Sequence, residues 1–240
     1  MPVWPVKSSR MTSAIIVAAG RGTRMGPDVD KLFLPVAGRP VVAHTWLRFD
    51  AIGEFDDVIV VVREGMQPTF EQIAGQLPLR KPWRLVAGGA ERQDSVWNGL
   101  GTLKPGTEVV AIQDGARPCT AEAVIRATLA AAREQGAAVA AQRVTDTIKE
   151  SEDGAAIAKH LDRSRLWSVQ TPQAFRVEVI RRALAAVRAK GLRVTDDTAA
   201  CDLIGQKVRL VESAAPNPKV TVTADLPYIE LLLRAGTTEQ

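Results

Sequence analysis

Ala14-Ile15-Ile16-Val17-Ala18-Ala19-Gly20-Arg21-Gly22-Thr23-Arg24-Met25-Gly26 passes without a break from an apolar run into a turn rich in glycine and arginine. An apolar run without polar alternation reads as a strand covered on both faces, as in a parallel sheet. Three more such runs follow: Val58–Val62 (VIVVV), Val109–Gln113 (VVAIQ) and Ala137–Ala141 (AAVAA). Amphipathic segments at about 39–50, 66–77, 92–103 and 119–135 separate them and are predicted helices. The β-α-β-α order predicts an α/β fold with a doubly wound, mostly parallel sheet, and places ligands beyond the carboxyl ends of its strands. Helices near 176–190 and 196–205, strands at Val208–Glu212 and Val220–Thr223, and a last helix over about 225–235 complete the expected order.

One stretch breaks the rhythm. Residues 142–172 are polar, turn at Ser151-Glu152-Asp153-Gly154, and have short β-like pieces at Asp146–Lys149 and Leu166–Gln170. They read as a β-arm projecting from the sheet. A lone hairpin is marginally stable in water, so the arm is expected to pack on a second subunit, making a homodimer. Residues 1–12 read as a disordered extension and 13–240 as a single domain.

The chain has 240 residues, 46% hydrophobic and 24% charged, as in an ordinary globular protein. No apolar stretch approaches the roughly 20 residues of a membrane span. The start, with Pro2 and Pro5, does not read as a secretory signal. Two cysteines far apart and two histidines without ligand spacing argue against a disulfide framework or a structural zinc site, and suit a cytoplasmic protein. His44 and His160 read as ordinary residues. The net charge of +4 is modest and its basic residues are scattered, a poor footprint for nucleic acid. A few of them gathered in one cleft would suit a small polyanion.

Glycines directly after a first strand leave N–H groups free to hold phosphate oxygens. A dinucleotide fingerprint would need glycine where Met25 stands, and a P-loop would need G-K-[ST], which is absent. Instead Arg21, Arg24 and Lys31 follow the strand closely, and Lys31 opens the apolar segment LFLPVAGRP. Residues 18–26 and 30–42, AAGRGTRMG and DKLFLPVAGRPVV, resemble the opening signature of nucleotidyltransferases that activate sugar phosphates. Four later segments narrow the resemblance: GGAERQDSV (88–96), QDGARPC (113–119), LDRSRLWSVQTPQAF (161–175) and PKVTVTADL (218–226). In this order and spacing, over residues 13 to 235, they look like the 2-C-methyl-D-erythritol 4-phosphate cytidylyltransferases of the non-mevalonate isoprenoid pathway.

That resemblance implies transfer of CMP from CTP to a sugar-alcohol phosphate with release of pyrophosphate. The acceptor phosphate has a second pKa of about 6, so it is its own nucleophile and no general base is needed. What is needed is positive charge where negative charge accumulates. By resemblance Arg24 and Lys31 stabilise the transition state, with Arg163 and Lys219 as further catalytic cations. Ala18, Ala19, Gly20, Gly22, Gly88, Gly89 and Ser95 would hold the nucleotide, although Ala90 stands where the family often has an acid. Asp114, Arg117, Thr147 and Thr171 would hold the acceptor, with Thr147 and Arg163 reaching across the dimer. Mg²⁺ is expected on the triphosphate, with few protein ligands and Asp114 nearby. Asp196 and Asp197 match a family pattern and read equally as helix N-caps.

Other readings stay open. Ribitol 5-phosphate in place of methylerythritol 4-phosphate would leave the nucleotide motifs unchanged. A purine-using nucleotidyltransferase leaves the later segments unexplained. A nicotinamide oxidoreductase lacks its fingerprint. A binding module without catalysis would not need Arg24, Lys31 and Arg163 together.

Overall fold

The computed structural model describes residues 11–20 and 30–237, with side chains to 235. Strand β1 (Met11–Ala18) leads through a short pairing of β2 (Pro35–Val36) with β3 (Arg39–Pro40) into α1 (Val41–Ala51). Then come β4 (Asp57–Val62), α2 (Gln67–Gly75), β5 (Trp83–Ala87), α3 (Arg92–Gly101), β6 (Thr107–Asp114), α4 (Glu122–Gln135) and β7 (Ala137–Arg143). The arm carries β8 (Lys149–Glu150) and β9 (Lys159–His160). The chain ends with β10 (Trp167–Arg176), α5 (Val177–Ala189), α6 (Asp197–Asp202), β11 (Arg209–Glu212) and α7 (Leu226–Thr237).

Among the described residues seven strands form the main sheet, in the order β11-β7-β10-β6-β1-β4-β5. All neighbours are parallel except β10, which runs antiparallel to both β6 and β7. Alternate residues of each strand face opposite layers. Ile16, Val58 and Val60 pack under α1, α2 and α4, in one core with Trp46, Phe70 and Leu129. Ile15, Ile59 and Val61 pack on the other face, with Val96 of α3 and Ile180 and Leu184 of α5. The expected doubly wound architecture is therefore present, with helices on both faces.

Four expectations need correction. The sheet begins at Met11, so residues 11 and 12 belong to β1 and not to an extension; residues 1–10 lie outside the described residues. The sequence left β5 unread: it is an edge strand, paired only to β4 and half exposed, so it lacks the apolar run of its neighbours. The segment from Trp167 onward is not arm but sheet, since β10 continues to Arg176 between β6 and β7. The projecting part therefore spans about 144–166, with a two-rung pairing at its tip (Lys149 opposite His160, Glu150 opposite Lys159). Finally, Val220–Thr223 is not a strand. The Asp225 carboxylate accepts from the N–H groups of Thr221 (2.7 Å) and Val222 (3.0 Å) and from the Thr221 hydroxyl, and Thr223–Asp225 forms a short 3₁₀ turn.

Candidate active site

The carboxyl ends of β1, β4, β5 and β6 open on one edge of the sheet, where a cleft of about 180 Å³ forms. Ala18, Ala19 and Gly20 line it from the end of β1, Gly89 from the β5–α3 turn, Arg92 and Ser95 from the start of α3, Asp114 from β6, and Lys31 and Lys219 from loops. Arg24 and Gly22 lie outside the described residues.

The β5–α3 turn is built by close packing. Gly88 N–H donates to the Val62 carbonyl (2.7 Å), carrying the chain across the end of β4. A Cβ at Gly88 would lie 2.4 Å from the Ala19 Cβ and 2.9 Å from the Ser95 Oγ. The Ser95 hydroxyl accepts from Gly89 N–H (3.1 Å) and donates to the Glu91 carbonyl (3.2 Å). Helix α3 is capped at Glu91, whose N–H donates to the Asp94 carboxylate, and Ser95 braces the turn before it. Gly88→Ala is expected to press Ala19 out of place, lowering stability by about 1–3 kcal/mol and raising several-fold the KM for CTP, the nucleotide that the resemblance implies. Titrating CTP against initial rate checks this; an unchanged KM would mean that Ala19 does not shape the nucleotide pocket.

Lys31 is buried, and its Nζ donates to the Val220 carbonyl (2.9 Å). Lys31 is thereby fastened to the segment before α7. Burial pushes the Asp225 carboxyl up, but the hydrogen bonds from Val222 and Thr221, together with the Lys31 ammonium, hold it below its ordinary value.

Asp114 ends β6 as expected and is the centre of a charge cluster. Lys219 Nζ lies 2.6 Å and Arg117 Nε 3.7 Å from its Oδ2, while Arg92 Nε lies 3.5 Å from Oδ1. Burial alone would raise its pKa; Arg92, Lys219 and Arg117 outweigh that and hold it at about 2. A carboxyl depressed from 3.8 stabilises the fold fully above pH 3.8 and loses that contribution as pH falls through about 2. The contribution near neutrality is about 2 kcal/mol. Between pH 5 and pH 2, the stability gap between the native chain and Asp114→Asn is therefore expected to shrink by about that amount in urea titrations. A constant gap would mean that the cations do not hold the carboxylate.

Burial lowers the pKa of Arg117 despite Asp114, and Arg117 Nη1 donates to the Asn217 carbonyl (2.6 Å). Thr171 lies on β10 where the register against β7 shifts, between Val169 and Gln173, and its hydroxyl accepts from Asp114 N–H (3.1 Å). Thr147 and Arg163 are exposed on the arm, where Arg163 donates to the Thr145 carbonyl (2.8 Å); within one chain neither lines the cleft.

Two groups in this site have no local signal. Asn217, between Pro216 and Pro218, is buried and donates to Gln170 Oε1 (3.1 Å) and the Thr171 carbonyl (2.8 Å), while its Oδ1 accepts from Thr120 (2.9 Å). Arg92 bridges Asp114 and Asp197, with Nη1 2.7 Å from Asp197 Oδ2. Of the two aspartates, only Asp196 is the helix cap, accepting from Ala199 N–H (2.9 Å). A polar residue between prolines, or an arginine at a helix start, would have been the only sequence hint of either group.

Glycine turns and a group of cations share the carboxyl edge of a doubly wound sheet, beside a first loop that lacks the dinucleotide fingerprint. That arrangement suits a nucleotidyltransferase. The model of one family, described as IspD, 2-C-methyl-D-erythritol 4-phosphate cytidylyltransferase, matches residues 12–235. Proteins of that name from Pelotomaculum thermopropionicum and Geobacillus kaustophilus are 40% and 39% identical, over 93% and 94% of this chain and 94% and 98% of theirs. The crystal structure of 4-diphosphocytidyl-2C-methyl-D-erythritol synthase from Anaerococcus prevotii superposes with a TM-score of 0.83 at 29% identity, covering 94% of this chain and 97% of that one. The cytidylyltransferase from Thermus thermophilus superposes at 0.77 with 32% identity, over 93% and 99%. The chain belongs to the 2-C-methyl-D-erythritol 4-phosphate cytidylyltransferase family, and is thus an enzyme, a transferase of isoprenoid synthesis. No described helix is long and apolar enough to cross a membrane.

Proposed function

We propose that this enzyme transfers CMP from CTP to 2-C-methyl-D-erythritol 4-phosphate, giving 4-diphosphocytidyl-2-C-methyl-D-erythritol and pyrophosphate. The observation that carries this is Asp114 held among Lys219, Arg92 and Arg117 beside a glycine-lined cleft. An acceptor phosphate oxygen attacks the α-phosphorus in line; that P–O bond forms as the bond to the β-phosphate oxygen breaks, and pyrophosphate takes the electron pair. The protein's work is to bring two anions together and to neutralise the charge they share. Lys31, together with Arg24 as the family resemblance implies, neutralises the triphosphate. Ala18, Ala19, Gly20, Gly22, Gly88, Gly89 and Ser95 hold the nucleotide. Asp114 accepts from acceptor hydroxyls, Thr171 supports it, and Arg117 and Lys219 attract the acceptor phosphate.

Among the described residues no cluster of His, Cys, Asp and Glu suits a metal ion, and Asp114 is already neutralised by its cations. The donor set therefore fits Mg²⁺ that enters on the triphosphate, where it supplies charge neutralisation. Thr147 and Arg163 complete the acceptor site of a second subunit, so the working form is a homodimer in the cytoplasm. Light scattering that finds a fully active monomer would refute the dimer.

The test is pyrophosphate release with CTP and Mg²⁺, offering methylerythritol 4-phosphate and ribitol 5-phosphate in parallel. Turnover with methylerythritol 4-phosphate alone is expected. Turnover with ribitol 5-phosphate instead would overturn the acceptor, and silence with both would overturn the catalytic function.

A further inference from the structure

Asp197 stands at the start of α6, far in sequence from Asp114, yet one side chain separates them. Its carboxylate is 1% exposed, and Oδ1 is buried with no hydrogen-bond partner. Burial pushes its pKa up, against the pull of Arg92. An ion pair with an unsatisfied oxygen is a poor device for stability, because a well-packed apolar pair of similar volume is often as stable or more so. What the pair achieves is orientation. Arg92 gives Nη1 to Asp197 at 2.7 Å and turns Nε to Asp114 Oδ1 at 3.5 Å, leaving Oδ2 to Lys219 and Arg117. The two oxygens of Asp114 are thus paired with different cations, which favours one rotation of the carboxylate.

The anchor itself is held to the sheet. Asp197 N–H donates to Gln173 Oε1 (3.2 Å), and Gln173 Nε2 donates to Asp196 Oδ2 (3.1 Å). Gln173 lies on β10, two residues beyond Thr171, whose hydroxyl accepts from the Asp114 N–H. One strand therefore holds the backbone of Asp114 and the backbone of Asp197, whose carboxylate aims Arg92.

We propose that Asp197 is a positioning residue of the acceptor site, acting through Arg92 to fix the orientation of Asp114. This rests on the proposal that Asp114 binds the acceptor. The test is a kinetic double-mutant cycle between Asp197→Asn and Asp114→Asn, with CTP and acceptor varied separately. Asp197→Asn alone is expected to lower kcat/KM for the acceptor roughly 10-fold while the KM for CTP stays within about 2-fold. In the Asp114→Asn background, the same change is expected to alter kcat/KM less than about 2-fold, because its target is already gone. Effects that simply multiply would overturn the proposal. The charge-free double variant Arg92→Met with Asp197→Leu guards against misfolding: it is expected to melt near the native temperature and still to use the acceptor poorly. Full activity in that variant would also overturn the proposal. If Asp114→Asn by itself leaves acceptor kinetics untouched, the acceptor-binding role of Asp114 fails and takes the positioning role with it. If it is impaired but Asp197→Asn adds independently, the positioning role fails alone.

Discussion

Lys31→Ala is expected to reduce kcat by about 10²- to 10³-fold, the loss typical of removing one preorganised group from a developing anion. The KM for CTP should change only a few-fold. Lys31 is buried in the cleft, and one of its protons is fixed on the Val220 carbonyl at 2.9 Å, so the ammonium is held in place before substrate arrives. A charge that needs no reorganisation acts most where charge grows most, on the α-phosphate and the departing pyrophosphate. Such a group contributes to the transition state rather than to ground-state binding, and its loss appears in turnover. Lys31→Arg should recover little, because a planar fork does not occupy the place of a compact ammonium. Steady-state kinetics decide the matter: a purely KM effect would show that Lys31 only binds CTP.

Asn217→Ala should destabilise the fold by roughly 3 kcal/mol, the scale of breaking a buried hydrogen-bond network. For a chain of this size that is a fall of about 6–12 °C in melting temperature. The substitution strands Gln170 Oε1 and the Thr171 carbonyl, both on buried residues, while the Thr120 hydroxyl keeps the Arg117 carbonyl (3.1 Å) and Gln113 Nε2 (2.9 Å). Function should suffer separately. The Asn217 carbonyl anchors Arg117, and Lys219 follows two residues later on the same loop. The KM for the acceptor should therefore rise several-fold at a temperature where the variant is fully folded, while that for CTP holds. Calorimetry and acceptor titration on one sample separate the two effects. Normal acceptor kinetics in a folded variant would confine Asn217 to stability.

How much of this was legible depends on how local each signal is. The buried runs of β1, β4, β6 and β7 declare themselves, because a strand covered on both faces has no polar alternation. β10 does not, since Pro172 stands in its middle and proline argues against a central strand. The register shift at 170–172 resolves the conflict: there β10 leaves the ladder with β7, and Thr171 is free to serve Asp114 and Asn217. In Val220–Thr223 the alternation of valine and threonine imitates a strand, but the nearby Asp225 carboxylate captures the amides that a ladder would use. In the site, the glycine turns, Lys31, Asp114 and Arg117 fall in contiguous segments and could be read. Arg92 with Asp197 and Arg117 with Asn217 are pairs about a hundred residues apart, and no short motif records such a contact.

The sheet order has a last consequence, for dynamics. On the nucleotide side of the cleft, Ala18, Ala19 and Gly20 come from the end of β1, an interior strand, while Gly88 and Gly89 follow β5, a rim strand paired only to β4. The acceptor side takes Lys219 from the segment after β11, a four-residue strand at the rim that pairs only with β7 and is largely exposed. Amides of rim strands exchange with solvent through local opening that interior strands do not share. Each side of the cleft thus joins an interior strand, β1 or β6, to a segment that follows a rim strand, β5 or β11, so local opening at either rim is expected to reach one of the two pockets. Warming should therefore loosen the grip on CTP and on the sugar phosphate together, which Michaelis constants for the two measured against temperature would check.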